Sequence, residues 1–261
     1  VNTQTNLTGK VALVTGGARG LGAATASLFA ELGAHAIVAD LEPIQPQECA
    51  APVDRIHRSV QLDVTDLDQW RQVIANIVAT EGRLDILHLN AGILSRPLDE
   101  RLAQLFEDDP LEWLAAETYA RVAAVNNRGV VNGLNAALPH LEASGGSVVI
   151  TGSDAGIIPF PPDPLYTMTK HALVGLTRAL GPTLAKRGIA SAIVCPTGMN
   201  TRMVADEWRD TFELASVTEV AKIIGDAIAA RCSGDVWVVG TDCSVQRFAH
   251  DAPLVLEARW G

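Results

Sequence analysis

Tyr166 and Lys170 stand four positions apart, a spacing that puts two side chains on one face of a helix. A phenol is a poor base near neutrality, with an ordinary pKa of about 10. An ammonium one helical turn away favours the phenolate, and the pair can then move a proton to or from a hydroxyl oxygen. A bare Tyr-x-x-x-Lys pair also occurs on ordinary helix surfaces. Two features give it weight in this chain. Ser153, a second hydroxyl, precedes Tyr166 by 13 residues and follows an apolar run that ends at Thr151. Far upstream stands a glycine turn, Thr15-Gly16-Gly17-Ala18-Arg19-Gly20-Leu21-Gly22. Glycines there let the backbone approach a pyrophosphate, whose charge the N–H groups of a helix start stabilise. The spacing is Gly-x-x-x-Gly-x-Gly rather than the general Gly-x-Gly-x-x-Gly, and tight strand–helix turns also recruit glycine.

Asp40 lies 18 positions beyond Gly22, at the end of the next apolar run. An acid in that place accepts hydrogen bonds from adenosine ribose hydroxyls and repels a 2′-phosphate, which favours NAD over NADP. Arg19 cuts the other way, because a guanidinium in the turn could meet such a phosphate. Asp63 could accept from an adenine amine, or could serve as a capping acid in Asp63-Val64-Thr65-Asp66. Asn90-Ala91-Gly92 is small enough for backbone to pass close to a ring or ribose.

Elements must hold these groups together. Expected strands are Val11–Thr15, His35–Ala39, Ser59–Leu62, Leu84–Leu89, Ser147–Thr151, Ile189–Cys195 and Asp235–Val239. Expected helices run from about Gly20 to Leu32, Leu67 to Thr80, Tyr119 to Leu138, Leu165 to Ala185 and Thr218 to Ala230. The strands read as continuous apolar runs, the pattern of a parallel sheet buried on both faces. Strand–helix alternation then gives a doubly wound α/β fold of about seven strands, with its ligand at the carboxyl ends of the strands.

The chain has 261 residues, and at about 150 residues per domain that means one large domain or two small ones. No composition break marks a second domain, so residues 1–261 read as one, with a nucleotide half of about 7–92 and a catalytic and substrate half of about 93–261. The net charge of −10 argues against nucleic acid and anionic lipid as partners. No apolar run approaches the length of a membrane span, and the polar start lacks a signal-peptide core, so the expected location is the cytoplasm. Cys49, Cys195, Cys232 and Cys243 show no Cys-x-x-Cys spacing, so neither a metal site nor a disulfide framework is expected.

Taken in order, these motifs make the sequence resemble the short-chain dehydrogenase/reductase family, from Leu7 to about Val239. Gly16, Gly20 and Gly22 match the family's Thr-Gly-x-x-x-Gly-x-Gly turn, Asp40 its NAD-selecting acid, and Asp63-Val64 its adenine contact. Leu21 and Leu41, beside Gly20 and Asp40, join this nucleotide set. Asn90-Ala91-Gly92 matches Asn-Asn-Ala-Gly, with Leu89 in place of the first Asn. Asn126 matches the catalytic Asn, and Ser153, Tyr166 and Lys170 match the catalytic Ser, Tyr and Lys. Pro196-Thr197-Gly198-Met199-Asn200-Thr201 aligns with the Pro-Gly-x-x-x-Thr segment that holds the nicotinamide, with Thr197 replacing the Gly and Thr201 keeping the Thr. The carboxyl end, from Gly240 onward, lacks the usual Asp-Gly-Gly close and is similar to the prostaglandin-dehydrogenase-like branch.

The resemblance implies an NAD-dependent enzyme that oxidises a secondary alcohol. Tyr166 would be the base, with its pKa lowered by Lys170 and by the positive nicotinamide. Lys170 would also hold the nicotinamide ribose, Ser153 would steady the substrate oxygen, and Asn126 would fix a water behind Lys170. Substrate residues would come from Ile157, Pro159 and Phe160, from the loop before Tyr166, and from a lid with Met203 and Trp208. These are mostly apolar, so the expected partner is a hydrophobic alcohol or ketone, such as a terpenoid- or steroid-like ring alcohol. Arg202 and Arg209 could meet an acid group or face solvent. Asp154 reads as a turn or capping residue, and the acidic stretch from Leu98 to Glu117 as a solvated surface, with a helix extension or a wall of the active site as alternatives. The long Ala/Leu/Val-rich helices suit a homodimer or homotetramer. Two alternatives stay open: an NADPH-dependent ketoreductase of the same fold, and a dinucleotide-binding sensor without turnover.

Overall fold

The structure is a computed structural model that describes residues 5–42, 58–95, 109–199 and 213–255. In chain order the elements are β1 (Val11–Thr15), α1 (Gly20–Glu31), β2 (His35–Asp40), β3 (Arg58–Gln61), α2 (Leu67–Glu81), β4 (Ile86–Leu89), α3 (Ala116–Ala123), α4 (Gly129–Ser144), β5 (Ser147–Thr151), α5 (Pro164–Lys186), β6 (Ala190–Pro196), α6 (Val217–Ala229), β7 (Ser233–Val239) and β8 (Val245–Phe248). Short 3-10 turns cover Pro110–Trp113 and Asp154–Gly156, and a π turn, Ala124–Arg128, joins α3 to α4.

One sheet runs in the order β3-β2-β1-β4-β5-β6-β7-β8. The pairs from β3 to β7 are parallel, while β8 lies antiparallel on β7. The sheet therefore has eight strands rather than about seven. The added strand, Val-Gln-Arg-Phe, is an edge strand with mixed exposure, and so lacks the apolar run that marked the others. β3 is the opposite edge, and its residues are likewise half exposed.

Each central strand feeds two cores. In β1, Val11 and Leu13 face a layer with Trp70, Ile74 and Ile77 of α2 and Leu141 of α4. Ala12 and Val14 face the other layer, with Leu21 and Phe29 of α1 and Ile224 of α6. The α2 contacts recur at one face of a 3.6-residue period, which fixes that helix on the sheet. Asp66 caps the start of α2 by accepting from the Asp68 and Gln69 amides, and Gly82 ends it with φ of 77°. The helix expected over Tyr119–Leu138 is longer and divided: the π turn interrupts it at Asn126. No helix among the described residues is long and apolar enough to cross a membrane.

The sequence direction of crossovers reverses between β1 and β4, which opens a crevice at the strands' carboxyl ends. Asp40 ends β2, Asn90 follows β4, Ser153 follows β5 and Pro196 ends β6, so the four motifs meet along this one edge.

Candidate active site

At the nucleotide end the chain packs backbone on backbone. Gly16 has φ of +62°, and a Cβ on Gly22 would lie 2.2 Å from the Gly16 carbonyl oxygen. Arg19 precedes α1 in an extended conformation, and no side chain caps that helix, so its first N–H groups are presented to an outside acceptor. Asp40 sits at the lip of the turn. Its Oδ2 accepts from the Ala18 amide at 3.0 Å and its Oδ1 from the Leu41 amide at 2.8 Å. The exposed Arg19 guanidinium lies 3.8 Å from the Glu42 carboxylate.

Asp63 is half-buried, and its Oδ1 accepts from the Thr65 amide at 2.9 Å. The cap of α2 belongs to Asp66, which relieves Asp63 of that duty. The Val64 carbonyl is tied to α2 by Trp70 Nε1 at 3.0 Å and to α4 by Asn132 Nδ2 at 3.2 Å.

Asn90 joins three strand ends. Its Nδ2 donates to the carbonyls of Thr15 and Gly16 at 3.0 and 3.1 Å, and its Oδ1 accepts from Thr151 Oγ1 at 3.0 Å. The Ala91 amide donates to Thr15 Oγ1 at 3.2 Å. Leu89 is buried in the layer with Trp70, which explains an apolar residue at the position where the motif carries its first Asn.

The chemical end is built on α5. Asp163 with Pro164 starts that helix, Asp163 Oδ1 accepting from the Tyr166 amide at 2.8 Å and Oδ2 from the Ser95 amide at 2.8 Å. One turn on, the buried Lys170 Nζ donates to the Thr151 carbonyl at 3.0 Å and lies 5.4 Å from the centre of the Tyr166 ring. Ser153 is buried behind β5; its Oγ donates to Asp154 Oδ1 at 2.9 Å and accepts from the Ala155 amide at 3.1 Å. Phenol, ammonium and serine hydroxyl thus converge.

Burial governs the proton affinities. Desolvation pushes the Tyr166 phenol well above its ordinary value, contact with Ser153 pulls it back, and the charges of Asp154 and Asp163 push it up further. Burial also brings the Lys170 ammonium, which lies over the face of that ring, down to about 8. Cys195, beneath the site, is an inert buried thiol, pushed up to about 12 by desolvation.

Asn126 sits in the π turn and is buried. Its Oδ1 accepts from the Ile93 amide at 2.9 Å, and its Nδ2 donates to the Ile93 carbonyl and Thr169 Oγ1, both at 3.0 Å. Both amide hydrogens are thus committed to protein, so a water there must meet Oδ1 or the main-chain carbonyl. A Cβ on Gly92 would lie 3.5 Å from both Asn126 Oδ1 and Lys170 Nζ, so glycine keeps the space between them open.

Pro196 ends β6, the Thr197 amide donates to the Val239 carbonyl at 2.9 Å, and the Gly198 carbonyl accepts from the Ala215 amide at 2.9 Å. Met199 pairs with Ala215 in an isolated bridge. Thr197 Oγ1 is buried with no partner among the described residues. Ile157 packs partly on the core, Phe160 is half-buried and Pro159 exposed. Thr201, Met203 and Trp208, with Arg202 and Arg209, lie outside the described residues. Sequence reasoning passed over Thr151, which holds both Lys170 and Asn90, and Asp163, although an Asp-Pro helix start just before Tyr166 was a readable signal. It also passed over His88, a lone imidazole inside an apolar strand.

With this geometry in place, comparison with known proteins is direct. A family model for short chain dehydrogenases matches residues 10–211. The chain belongs to the short chain dehydrogenase family. Curated relatives include (-)-trans-carveol dehydrogenase of Rhodococcus erythropolis, 33% identical over 240 residues, covering 80% of this chain and 83% of that one. Cis-1,2-dihydrobenzene-1,2-diol dehydrogenase of Pseudomonas putida is 34% identical over 238 residues, covering 86% and 82%. Among solved structures, levodione reductase superposes with a TM-score of 0.77 at 26% identity, covering 90% of this chain and 96% of that one. The doubly wound sheet and the oxidoreductase class that acts on alcohol groups follow from this membership.

Proposed function

We propose that this dehydrogenase oxidises a secondary alcohol on a hydrophobic ring with NAD as its cofactor. The observation that carries the reading is the convergence of the Tyr166 phenol, the Lys170 ammonium and the Ser153 hydroxyl beside an uncapped helix start and Asp40. The carveol and dihydrodiol relatives, whose names are those of ring alcohols, support the substrate class, as do the apolar Ile157 and Phe160.

The residues present fit a dinucleotide. The first turn of α1 would hold the pyrophosphate, and Asp40 the adenosine ribose. Lys170 would hold the nicotinamide ribose, and the orphaned Thr197 Oγ1 with Gly198 and Met199 would face the nicotinamide. Exposed Glu42 adds a second negative charge near Asp40, 3.8 Å from Arg19, which favours NAD over a cofactor with a 2′-phosphate. A dinucleotide bound there would supply the hydride acceptor and a positive charge.

The chain's own residues manage the oxygen. Tyr166 takes the hydroxyl proton as the C–O bond becomes a carbonyl. Because burial and two nearby carboxylates resist its ionisation, the phenol depends on nearby positive charge to become a base. Ser153 would hold the substrate oxygen against Tyr166 by turning toward it the hydroxyl that otherwise donates to Asp154 Oδ1. Asn126 clamps Ile93 to Thr169 and so fixes the floor of the site.

One sheet spans both halves, which supports reading residues 1–261 as one domain. The free thiols Cys195, Cys232 and Cys243 suit a reducing compartment such as the cytoplasm. Exposed Val131 on α4 and Met168 on α5 support a homodimer or homotetramer joined through those helices. The deciding measurement is kcat/KM for ring alcohols with NAD and with NADP. A clear NAD preference is expected; preference for NADP removes the Asp40 argument and favours the ketoreductase alternative.

A further inference from the structure

Asp154 carries a half-buried carboxylate next to Ser153 and close in sequence to the apolar Ile157 and Phe160. It does more than close a turn. Its Oδ1 accepts from Ser153 Oγ at 2.9 Å and from the Ala155 amide at 2.8 Å, which occupies that oxygen. Its Oδ2 accepts no hydrogen bond among the described residues, although the side chain is half-buried. The charge reaches the reaction centre, because it acts on both the Tyr166 phenol and the Cys195 thiol. Burial also pushes the Asp154 carboxyl up, as expected of an anion short of donors. Something in the working complex should supply a donor to Oδ2.

The reacting oxygen of an alcohol would rest against Ser153 Oγ, and Asp154 is bonded to that same atom. A hydroxyl on the neighbouring carbon of the substrate then lies at the carboxylate, whereas one farther around a ring does not. We propose that Asp154 is a specificity-determining residue whose Oδ2 accepts a hydrogen bond from a second hydroxyl adjacent to the reacting one, so that the preferred substrates are vicinal diols. The proposal rests on the alcohol-dehydrogenase reading above and narrows its substrate class.

The test compares initial rates of NAD reduction with cis- and trans-cyclohexane-1,2-diol against cyclohexanol, in the wild type, Asp154→Ala and Asp154→Asn. A hydrogen bond to a charged acceptor makes the wild-type kcat/KM for one of the diols at least about tenfold higher than for cyclohexanol. In Asp154→Ala that ratio falls about tenfold, toward one. Losses through Ser153, Tyr166 or folding fall on both substrates and cancel in the ratio. If Asp154→Ala gives no folded protein, Asp154→Asn keeps the shape without the charge, and its ratio falls as well, by less. A wild type that prefers cyclohexanol, or a ratio unchanged in the variants, overturns the role of Asp154 and leaves the dehydrogenase reading standing. No NAD reduction with any of the three alcohols removes that reading and the proposal together.

Discussion

The two ends of the crevice are built on different physics. At the nucleotide end, position is set by backbone contact: Gly22 against the Gly16 carbonyl, Asn90 across Thr15 and Gly16, and Asp40 held by two main-chain amides. Its groups stay partly open to water. At the chemical end, Lys170 and Ser153 are buried, and the phenol and the ammonium are both driven toward their neutral forms. Steric fit decides the first region and desolvation the second. Substitutions should therefore damage binding at one end and proton transfer at the other.

The largest effect belongs to the chemical end. Tyr166→Phe removes only the hydroxyl, and the ring keeps its place under Lys170. Turnover should fall by about a hundredfold to ten-thousandfold, the usual contribution of a positioned acid–base group, while NADH fluorescence titration gives an unchanged affinity. A variant that loses NADH binding as well would mean that the two ends are not separable.

The converse comes from Gly22→Ala. A methyl group cannot stand 2.2 Å from a carbonyl oxygen, so the turn must open. Overpacking of this kind costs about 1–3 kcal/mol of stability. NADH affinity should fall together with the melting temperature, and unchanged affinity would mean that the glycine turn does not hold the dinucleotide. Asp40→Ala is milder, since it removes a hydrogen-bonding charge without moving backbone. The ratio of kcat/KM for NAD over NADP should fall about tenfold; a constant ratio would assign cofactor choice elsewhere.

The same division explains what could be read from sequence. The glycine turn was legible because backbone proximity demands glycine and small residues at fixed spacings, and composition cannot disguise them. The parallel strands were legible as apolar runs, but β8 was not, because an antiparallel edge strand such as Val245–Phe248 is half exposed. At the chemical end the identities of Ser153, Tyr166 and Lys170 stood out, whereas their proton affinities did not. Those depend on burial and on Asp154 and Asp163, whose approach to the phenol arises only in the folded chain. The π turn at Asn126 was hidden for a related reason: the weak helix formers Asn126, Asn127 and Gly129 do not by themselves tell a π turn from an ordinary helix, and only tertiary contacts with Ile93 and Thr169 show the widened turn at work.

His88 links the two ends and yields the smallest expected effect on turnover. It is fully buried in β4, and its Nε2 lies 2.8 Å from Thr151 Oγ1, which itself donates to Asn90. That hydroxyl must therefore accept from His88, which fixes the Nε2–H tautomer and leaves Nδ1 bare and without a partner among the described residues. Burial holds the imidazole neutral, its pKa brought down from 6.5 to about 3. The unfolded chain binds a proton at this residue below pH 6.5 that the folded chain refuses until about pH 3. The stability tied to the neutral ring is complete above the upper value and declines as the pH falls toward the lower one. His88→Val removes the titration together with the hydrogen bond to Thr151, and the bond contributes an offset that does not depend on pH. Urea midpoints measured at neutral pH and near about pH 4.5 should then fall less for His88→Val than for the wild type. Equal declines would mean that His88 takes up its proton in the folded state, and that the chain from β4 through Thr151 to Asn90 is solvated rather than dry.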